Sequence, residues 1–135
     1  MPLGDANAIE AKVFFPAHLR QALTNWRVGA PVVLNGQDAN VAQGTSPSGA
    51  TVTLCFDAET GLLSRLIWFS TTPVGRVVTR LEYSEYREVG GVKIPSKWTM
   101  MWLGGRSRYV LTLVQPNVAI DAGRFARPAP PAPRQ

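Results

Sequence analysis

The side chains that could act as a nucleophile or a base are few in this sequence and stand far apart. The chain of 135 residues has a single histidine, His18, and a single cysteine, Cys55. A Ser-His-Asp arrangement would have to use His18, but the surrounding segment FFPAHLRQ contains no nucleophile, and the motif G-x-S-x-G does not occur. We therefore expect His18 to be a satisfied or solvent-exposed helix residue, and we predict no catalytic residue.

Two acidic residues in the segment FDAETG are further candidates for chemistry. Asp57 and Glu59 could form a carboxylate pair or part of a calcium site. The same letters are typical of a tight hairpin turn, in which the Asp side chain accepts hydrogen bonds from nearby backbone N–H groups and Gly61 takes the left-handed conformation. We favour the turn and predict no metal site.

Cys55 lies in the apolar run VTLCF, which predicts a small buried residue. A reactive thiol needs a neighbouring histidine or a helix N-terminus, and neither is adjacent in sequence. The sequence also lacks C-x-x-C-H, a Walker loop, a dinucleotide fingerprint and zinc-ligand spacing. The Gly-Gly pairs in GGVK and LGGRS lie between predicted strands and are interpreted as hairpin turns. No cofactor is predicted.

The net charge of +5 comes from 14 basic and 9 acidic residues. The basic residues are scattered singly, and several stand beside acids, as in RLEYSEYRE. This distribution favours a mixed, solvated face over a track for phosphates, so we predict no nucleic-acid partner. Binding to nucleic acid would require a basic concave face.

Turn signals divide most of the chain into strands. Pro16 could begin a short amphipathic helix that extends to Trp26, with Leu19 and Leu23 at helical spacing. Turns such as NGQD and GGVK then separate about seven strands at hairpin spacing, which predicts antiparallel pairing between neighbours. The predicted fold class is mainly β (α+β): an antiparallel curved sheet, or half-barrel, with one short N-terminal helix. The predicted strands are Val28–Leu34, Ala39–Gly44, Ala50–Phe56, Leu62–Thr71, Val77–Val89, Val92–Leu103 and Ser107–Gln115.

Length and composition indicate one domain, because a chain of this size can bury a single core. We predict a disordered start at 1–8, a single β-rich domain at 9–127 and a Pro/Ala-rich disordered tail at 128–135. No apolar run approaches the ~18 residues of a transmembrane helix. No signal peptide is recognisable, which leaves open a cytoplasmic chain or a piece of a longer protein. The sequence does not predict the oligomeric state.

Alternation along the predicted strands gathers large side chains on one face, as the even positions of the segment 92–103 show. Such a set could line an apolar groove, or it could be ordinary core. In a half-barrel both interpretations hold in part, because deep rings belong to the core and rings near the rim line the groove. The candidate ligand-binding residues are Trp68, Tyr83, Trp98, Met100, Trp102 and Tyr109.

The strand predicted from LLSRLIWFS is apolar on both faces, with Leu66 and Trp68 on one side and Leu63, Ile67 and Phe69 on the other. A strand buried on both sides needs cover on both sides. The helix can cover part of one face. The other face must close on itself, meet a partner or hold a ligand.

Several longer phrases resemble a known type of bacterial domain. These are FDAETGLLSRL, the span from TPVGRVV to KIPSKW, and VQPNVAIDAGRF, within a resemblance that covers roughly residues 9–127. They resemble a domain of bacterial extracytoplasmic proteins that often follows c-type cytochrome modules, including proteins described as photosynthetic reaction-centre cytochrome c subunits. The general type is similar to the LolA/LppX-like lipoprotein carriers, which have a curved half-barrel sheet with an apolar concave face. The resemblance implies a periplasmic location.

The chain departs from these families in two ways. It has no haem-attachment motif, so any redox role would belong to a neighbouring domain, and it has no lipid-attachment cysteine near its start. The sequence therefore favours a non-enzymatic binding or accessory module. Its predicted partner is an apolar or amphiphilic small molecule such as a lipid, a hydrophobic segment of a partner protein, or a neighbouring domain of a longer redox protein. The alternative is a small hydrolase acting on an amphiphilic ester or lactone, which would require a carboxylate, His18 and a hydroxyl group to converge in a pocket.

Overall fold

The computed structural model describes residues 19–128. Within them a short helix precedes eight strands, and a 3-10 helix follows the last strand. The predicted start at 1–8 and all but the first residue of the predicted tail lie outside the described residues. The elements are α1 (Leu19–Ala22), β1 (Thr24–Val28), β2 (Val32–Leu34), β3 (Gln37–Thr45), β4 (Thr51–Asp57), β5 (Leu63–Thr72), β6 (Gly75–Val89), β7 (Val92–Trp102), β8 (Gly105–Val110) and the 3-10 helix (Ala122–Phe125).

The helix ends earlier than predicted, because the chain turns into strand β1 almost immediately after Ala22. The prediction that the helix extends to Trp26 was wrong: this residue lies in the middle of β1, and its side chain is 42% exposed. Strand β1 pairs with β3, with Thr24 opposite Thr45 and Val28 opposite Ala42. This long-range ladder satisfies the backbone groups that a continued helix would have satisfied locally.

The first predicted strand is split in two. Between β1 and β2 the chain leaves the ladder at Ala30 and Pro31, and Pro31 has no N–H to donate. The Gly29 N–H still donates to the Val41 carbonyl oxygen at 2.8 Å, so both pieces follow β3. The prediction of one strand over Val28–Leu34 was therefore wrong, and the sheet has eight strands instead of about seven.

The predicted fold class is confirmed: one open antiparallel sheet carries the strands in the order β1-β3-β4-β5-β6-β7-β8, and β2 also pairs with β3. Two-residue turns join most neighbours. Gly90 and Gly91 have φ values of 57° and 80°, as a hairpin turn of type I′ requires, and they bring Val89 opposite Val92. Strand β8 ends at Val110, short of the predicted limit.

The core lies on one face of this sheet. Strands β4 to β7 contribute a row in which Leu54 pairs with Leu66, Leu66 with Leu81, and Leu81 with Met100. The helix end covers this face, since Leu19 joins the same cluster. The remaining members of the cluster are Leu23, Val52, Leu63, Trp68 and Tyr83, with Phe56, Tyr86 and Trp98 packed against them.

The opposite face of the sheet is less buried than the sequence predicts. A register shift in the β4–β5 ladder, between Cys55 and Phe56, brings Leu63 into the core instead of the opposite face. On that opposite face Ile67 is half-buried and Phe69 is 41% exposed.

In residues 19–128 there is no helix of the length and apolarity that a membrane crossing would need.

Candidate functional site

The six predicted binding residues share one face of the sheet, and we call this set the aromatic patch. The ladder places Tyr83 opposite Trp98 and Trp98 opposite Tyr109, so three strands contribute one row of rings. Alternation along the strands puts the other three on the same face. The aromatic patch consists of Trp68, Tyr83, Trp98, Met100, Trp102 and Tyr109.

Exposure within the aromatic patch rises towards the β8 edge of the sheet. Trp68 and Tyr83 are 5% and 7% exposed and belong to the core cluster. Trp98 is half-buried and packs against that cluster. Trp102 and Tyr109 are 42% and 40% exposed, and we call these two residues the rim. The patch is thus core at one end and accessible apolar surface at the other.

The Trp98 and Tyr109 rings are stacked. Their centroids lie 5.4 Å apart, and the ring planes differ by 15°. An offset stack of this kind adds about 0.5–1.5 kcal/mol beyond the area that the rings bury. Because Trp98 is fixed against the core, it holds Tyr109 in place on the edge strand.

The Trp102 ring lies over its own hairpin turn. A Cβ atom built on Gly105 would stand 3.3 Å from Trp102 Cζ2, and one on Gly104 would stand 3.3 Å from Nε1. The two glycines therefore leave the space that the indole occupies. One ring face contacts the turn, and much of the remaining surface of the side chain is open.

Tyr86 also belongs to this face, although alternation from Tyr83 would place it on the other side. Glu85 has a φ of 50°, and the β6–β7 ladder skips it, so that the two tyrosines on either side of it both reach the core cluster. The Tyr86 hydroxyl donates to the Leu63 carbonyl oxygen at 2.5 Å. The signal in the sequence is the spacing Tyr83-x-x-Tyr86, which strand alternation alone would place on two faces.

Both tyrosines remain uncharged over the physiological pH range. Burial raises the pKa of Tyr86 to about 12. Burial also raises the pKa of Tyr83, and the proximity of Tyr86 raises it further. The ladder rows that join β4 to β8 on this face contain no charged side chain. The surface formed by these rows is therefore uncharged and largely apolar.

Exposed apolar side chains also occur in the C-terminal segment. This segment leaves the sheet after β8 and runs to the 3-10 helix, which is capped by the Asp121 side chain. Leu111 and Val114 are half-buried, but the other large apolar side chains of the segment are more exposed than those of the rim. They are Leu113, Val118, Ile120 and Phe125, with exposures of 71%, 51%, 59% and 78%.

The carboxylates named in the sequence do not form an acid–base pair. Asp57 Oδ1 accepts hydrogen bonds from the backbone N–H groups of Glu59 and Thr60 at 3.0 and 2.7 Å and from the Thr60 hydroxyl at 3.0 Å. The Thr60 hydrogen bonds lower the pKa of Asp57. Gly61 has a φ of 70°, which confirms the predicted turn.

The described part of the chain offers neither a reactive thiol nor a cluster of residues that could bind a metal ion. Cys55 is 4% exposed, and burial raises the pKa of its thiol, partly opposed by Arg65. Its predicted burial is confirmed. No group of three His, Cys, Asp or Glu residues within 19–128 could hold a metal ion. His18 lies outside the described residues.

A polar cleft of about 280 Å³ lies near the β2–β3 turn and is separate from the rim. Asp57, Arg65 and Glu82 are among its lining residues. Glu82 Oε1 is 2.6 Å from Arg65 Nη2, and Asp57 is engaged in its turn. The carboxylates of Asp57 and Glu82 in this cleft are therefore held in structural contacts.

No protein-family model and no curated protein matches the chain. Among solved structures, it is similar to the crystal structure of a domain assigned as an outer membrane lipoprotein-sorting protein from Vibrio parahaemolyticus, with a TM-score of 0.60 and 13% sequence identity. The match covers 78% of this chain and 46% of that chain, so this chain spans less than half of its length. At this identity the likeness shows the fold, a LolA-like half-barrel. The association with cytochromes stays a prediction.

Proposed function

We propose that this protein is a non-enzymatic module that binds a lipid-like, apolar or amphiphilic ligand against the aromatic patch. The observation that carries the proposal is the rise in exposure from Trp68 to Trp102 on one uncharged face. A face used only for packing would be covered along its whole length. Here the β8 end, with its two large rings, is accessible.

The physical chemistry of the rim suits an acyl chain. Covering an apolar surface stabilises a complex by about 0.8 kcal/mol per buried CH₂ group. Flat rings such as Trp102 and Tyr109 offer large contact area with few rotatable bonds, so little conformational entropy is lost on binding. The neutral hydroxyls of Tyr83 and Tyr86 leave no buried charge that an apolar ligand would have to desolvate.

The extracytoplasmic location and the link to a longer redox protein are part of this proposal and rest on the sequence resemblance. The LolA-like fold is compatible with both. Asp57 and Glu82 give the hydrolase alternative no support, because both are held in structural contacts.

The test is titration of the full chain with N-phenyl-1-naphthylamine, whose fluorescence rises in apolar surroundings, together with native mass spectrometry for a co-purified lipid. Trp102→Ala should weaken probe binding about tenfold, which is ~1.4 kcal/mol. Trp26→Ala is the matched control, because Trp26 is also 42% exposed but lies on β1, at the other end of the strand order.

Two outcomes would reject the proposal. One is equal weakening by both substitutions, since the probe would then bind exposed tryptophan wherever it occurs. The other is absence of both probe binding and co-purified lipid in the wild type. Hydrolysis of a fluorogenic ester by the wild type would favour the enzyme instead.

A further inference from the structure

The β5–β6 hairpin projects beyond its neighbours in the sheet. It stops pairing with β4 after Trp68 and with β7 before Arg80, whereas its own strands stay paired to Thr72 and Gly75. Thr72 lies four positions after Trp68, so the hairpin extends about 13 Å further at ~3.3 Å per residue. Its turn carries Val74, which is 85% exposed.

The face of this hairpin that lies opposite the aromatic patch combines arginines with apolar side chains. Arg76, Val78 and Arg80 occupy alternate positions of β6 and therefore share this face. Val78 pairs with Phe69, and these two are 44% and 41% exposed. The Arg76 guanidinium lies over the Phe69 ring, 4.6 Å from its centroid.

The neighbouring β7–β8 hairpin adds arginines to the same face. Arg106 pairs with Met101, and Met101 pairs with Arg80. Arg80 Nη2 donates to Met101 Sδ at 3.2 Å. Arg108 stands two residues after Arg106 and so faces the same way. In the turn of this hairpin Leu103 is 79% exposed.

Little negative charge opposes these arginines. In the rungs of this face that run across β5 to β8, from Arg65–Glu82 to the β5–β6 turn, the acidic side chain is Glu82, whose Oε1 lies 2.6 Å from Arg65 Nη2 and 3.6 Å from Arg80 Nε. No ion pair formed within residues 19–128 involves Arg76 or Arg106. The end of the face nearest the two turns is therefore cationic.

We propose that this end of the sheet docks on an anionic phospholipid bilayer. Arginines alone would serve any polyanion, and exposed aliphatic turns alone would serve any apolar partner. A lipid surface uses both, because phosphate groups bind guanidinium groups while aliphatic tips enter the boundary below the headgroups. The docking surface, which we call the hairpin-end surface, consists of Phe69, Val74, Arg76, Val78, Arg80, Leu103 and Arg106.

Vesicle flotation tests the charge requirement on the full chain. At ~0.1 M salt the wild type should bind vesicles of phosphatidylglycerol in phosphatidylcholine and not phosphatidylcholine alone, and higher salt should weaken binding. Arg76→Gln with Arg106→Gln should weaken it about thirtyfold, or ~2 kcal/mol. The matched control, Arg27→Gln with Lys93→Gln, removes the same charge from exposed positions outside the surface and should change little.

A dye that reports polarity tests insertion of the tip directly. Cys55 is 4% exposed, so Val74→Cys provides a selectively labelled thiol in the native protein. The emission of the dye attached at position 74 should shift to shorter wavelength when anionic vesicles are added. Val92→Cys, at a 56% exposed position beside the opposite turn, should show no shift. This comparison needs no arginine variant, so it holds even if those variants fold poorly.

Three results would overturn the inference: equal binding to neutral vesicles, equal loss in both pairs of charge variants, or equal dye shifts at positions 74 and 92. Binding to duplex DNA with no vesicle binding would assign the surface to a nucleic acid instead. None of these results bears on the ligand proposal, because probe binding is measured without vesicles on the other face.

Discussion

Replacing tryptophans of the aromatic patch one at a time separates core from accessible surface. Trp68 is 5% exposed and Trp102 is 42% exposed, a difference of 37%. For a side chain of about 250 Å² this is ~90 Å², or ~2 kcal/mol of burial at about 25 cal/mol per Å². Trp68→Ala also leaves a closed cavity, whereas solvent fills the space left by Trp102. We therefore expect Trp68→Ala to destabilise the fold by ~4–5 kcal/mol and Trp102→Ala by ~1–2 kcal/mol.

The assay is urea unfolding followed by circular dichroism, since fluorescence changes with every tryptophan removed. The urea concentration at the unfolding midpoint should fall by a large amount for Trp68→Ala and by a small amount for Trp102→Ala. The dependence of the unfolding free energy on urea concentration should stay unchanged in both variants. Trp98→Ala should lie between them, because Trp98 is half-buried and loses its stack with Tyr109. Equal free-energy losses at positions 68 and 102 would refute the claim that the β8 end is accessible.

Three further predictions concern single side chains. Cys55 should react with a thiol reagent only after unfolding, and rapid labelling of the native protein would contradict its burial. Because burial raises the pKa of Tyr86 to about 12 from an unfolded value of about 10, its stabilising contribution is complete below pH ~10 and is lost as pH rises towards 12. In the wild type the urea midpoint should therefore decrease as pH rises from ~10 towards 12, and Tyr86→Phe should make this decrease smaller. The same decrease in the variant as in the wild type would contradict the prediction. Gly105→Ala should displace the Trp102 ring and so raise its quenching by acrylamide, while the same quenching as in the wild type would show that the turn leaves room for a Cβ atom.

Much of the sheet could be predicted because its turns are encoded locally. A Gly-Gly pair that needs two positive φ values fixes a two-residue hairpin, and the hairpin then fixes the register of both strands. This is why the long strands β5, β6 and β7 were predicted close to their limits. The same register fixed which residues of β7 share a face with Tyr83, so the aromatic patch could be assembled from sequence.

Non-local contacts decided the rest. The residues around Trp26 do have helical spacing, but in the structure they form strand β1 and pair with β3. The sequence near Trp26 does not predict this pairing, because β3 comes close to it only in the folded chain. Leu63 changed face through a register shift, and Tyr86 changed face beside the positive φ of Glu85. No glycine occupies either position, so the sequence gives no sign of these irregularities. The depth of each ring in the patch also depends on which strand lies at the edge, and alternation carries no information about that.

The two proposed surfaces lie back to back on the same hairpins, so they can be perturbed separately. In the β7–β8 hairpin Met101 pairs with Arg106 while Trp102 pairs with Gly105, which places the arginine and the indole on opposite faces. Trp102→Ala should weaken probe binding and leave vesicle binding unchanged, whereas Arg106→Gln should do the reverse. The double variant should show both losses at their single-variant sizes, since the side chains share no partner. If either substitution impaired both activities in a folded protein, the ligand and the bilayer would be using one continuous site, and the division of this sheet into an apolar binding face and a cationic docking face would be wrong.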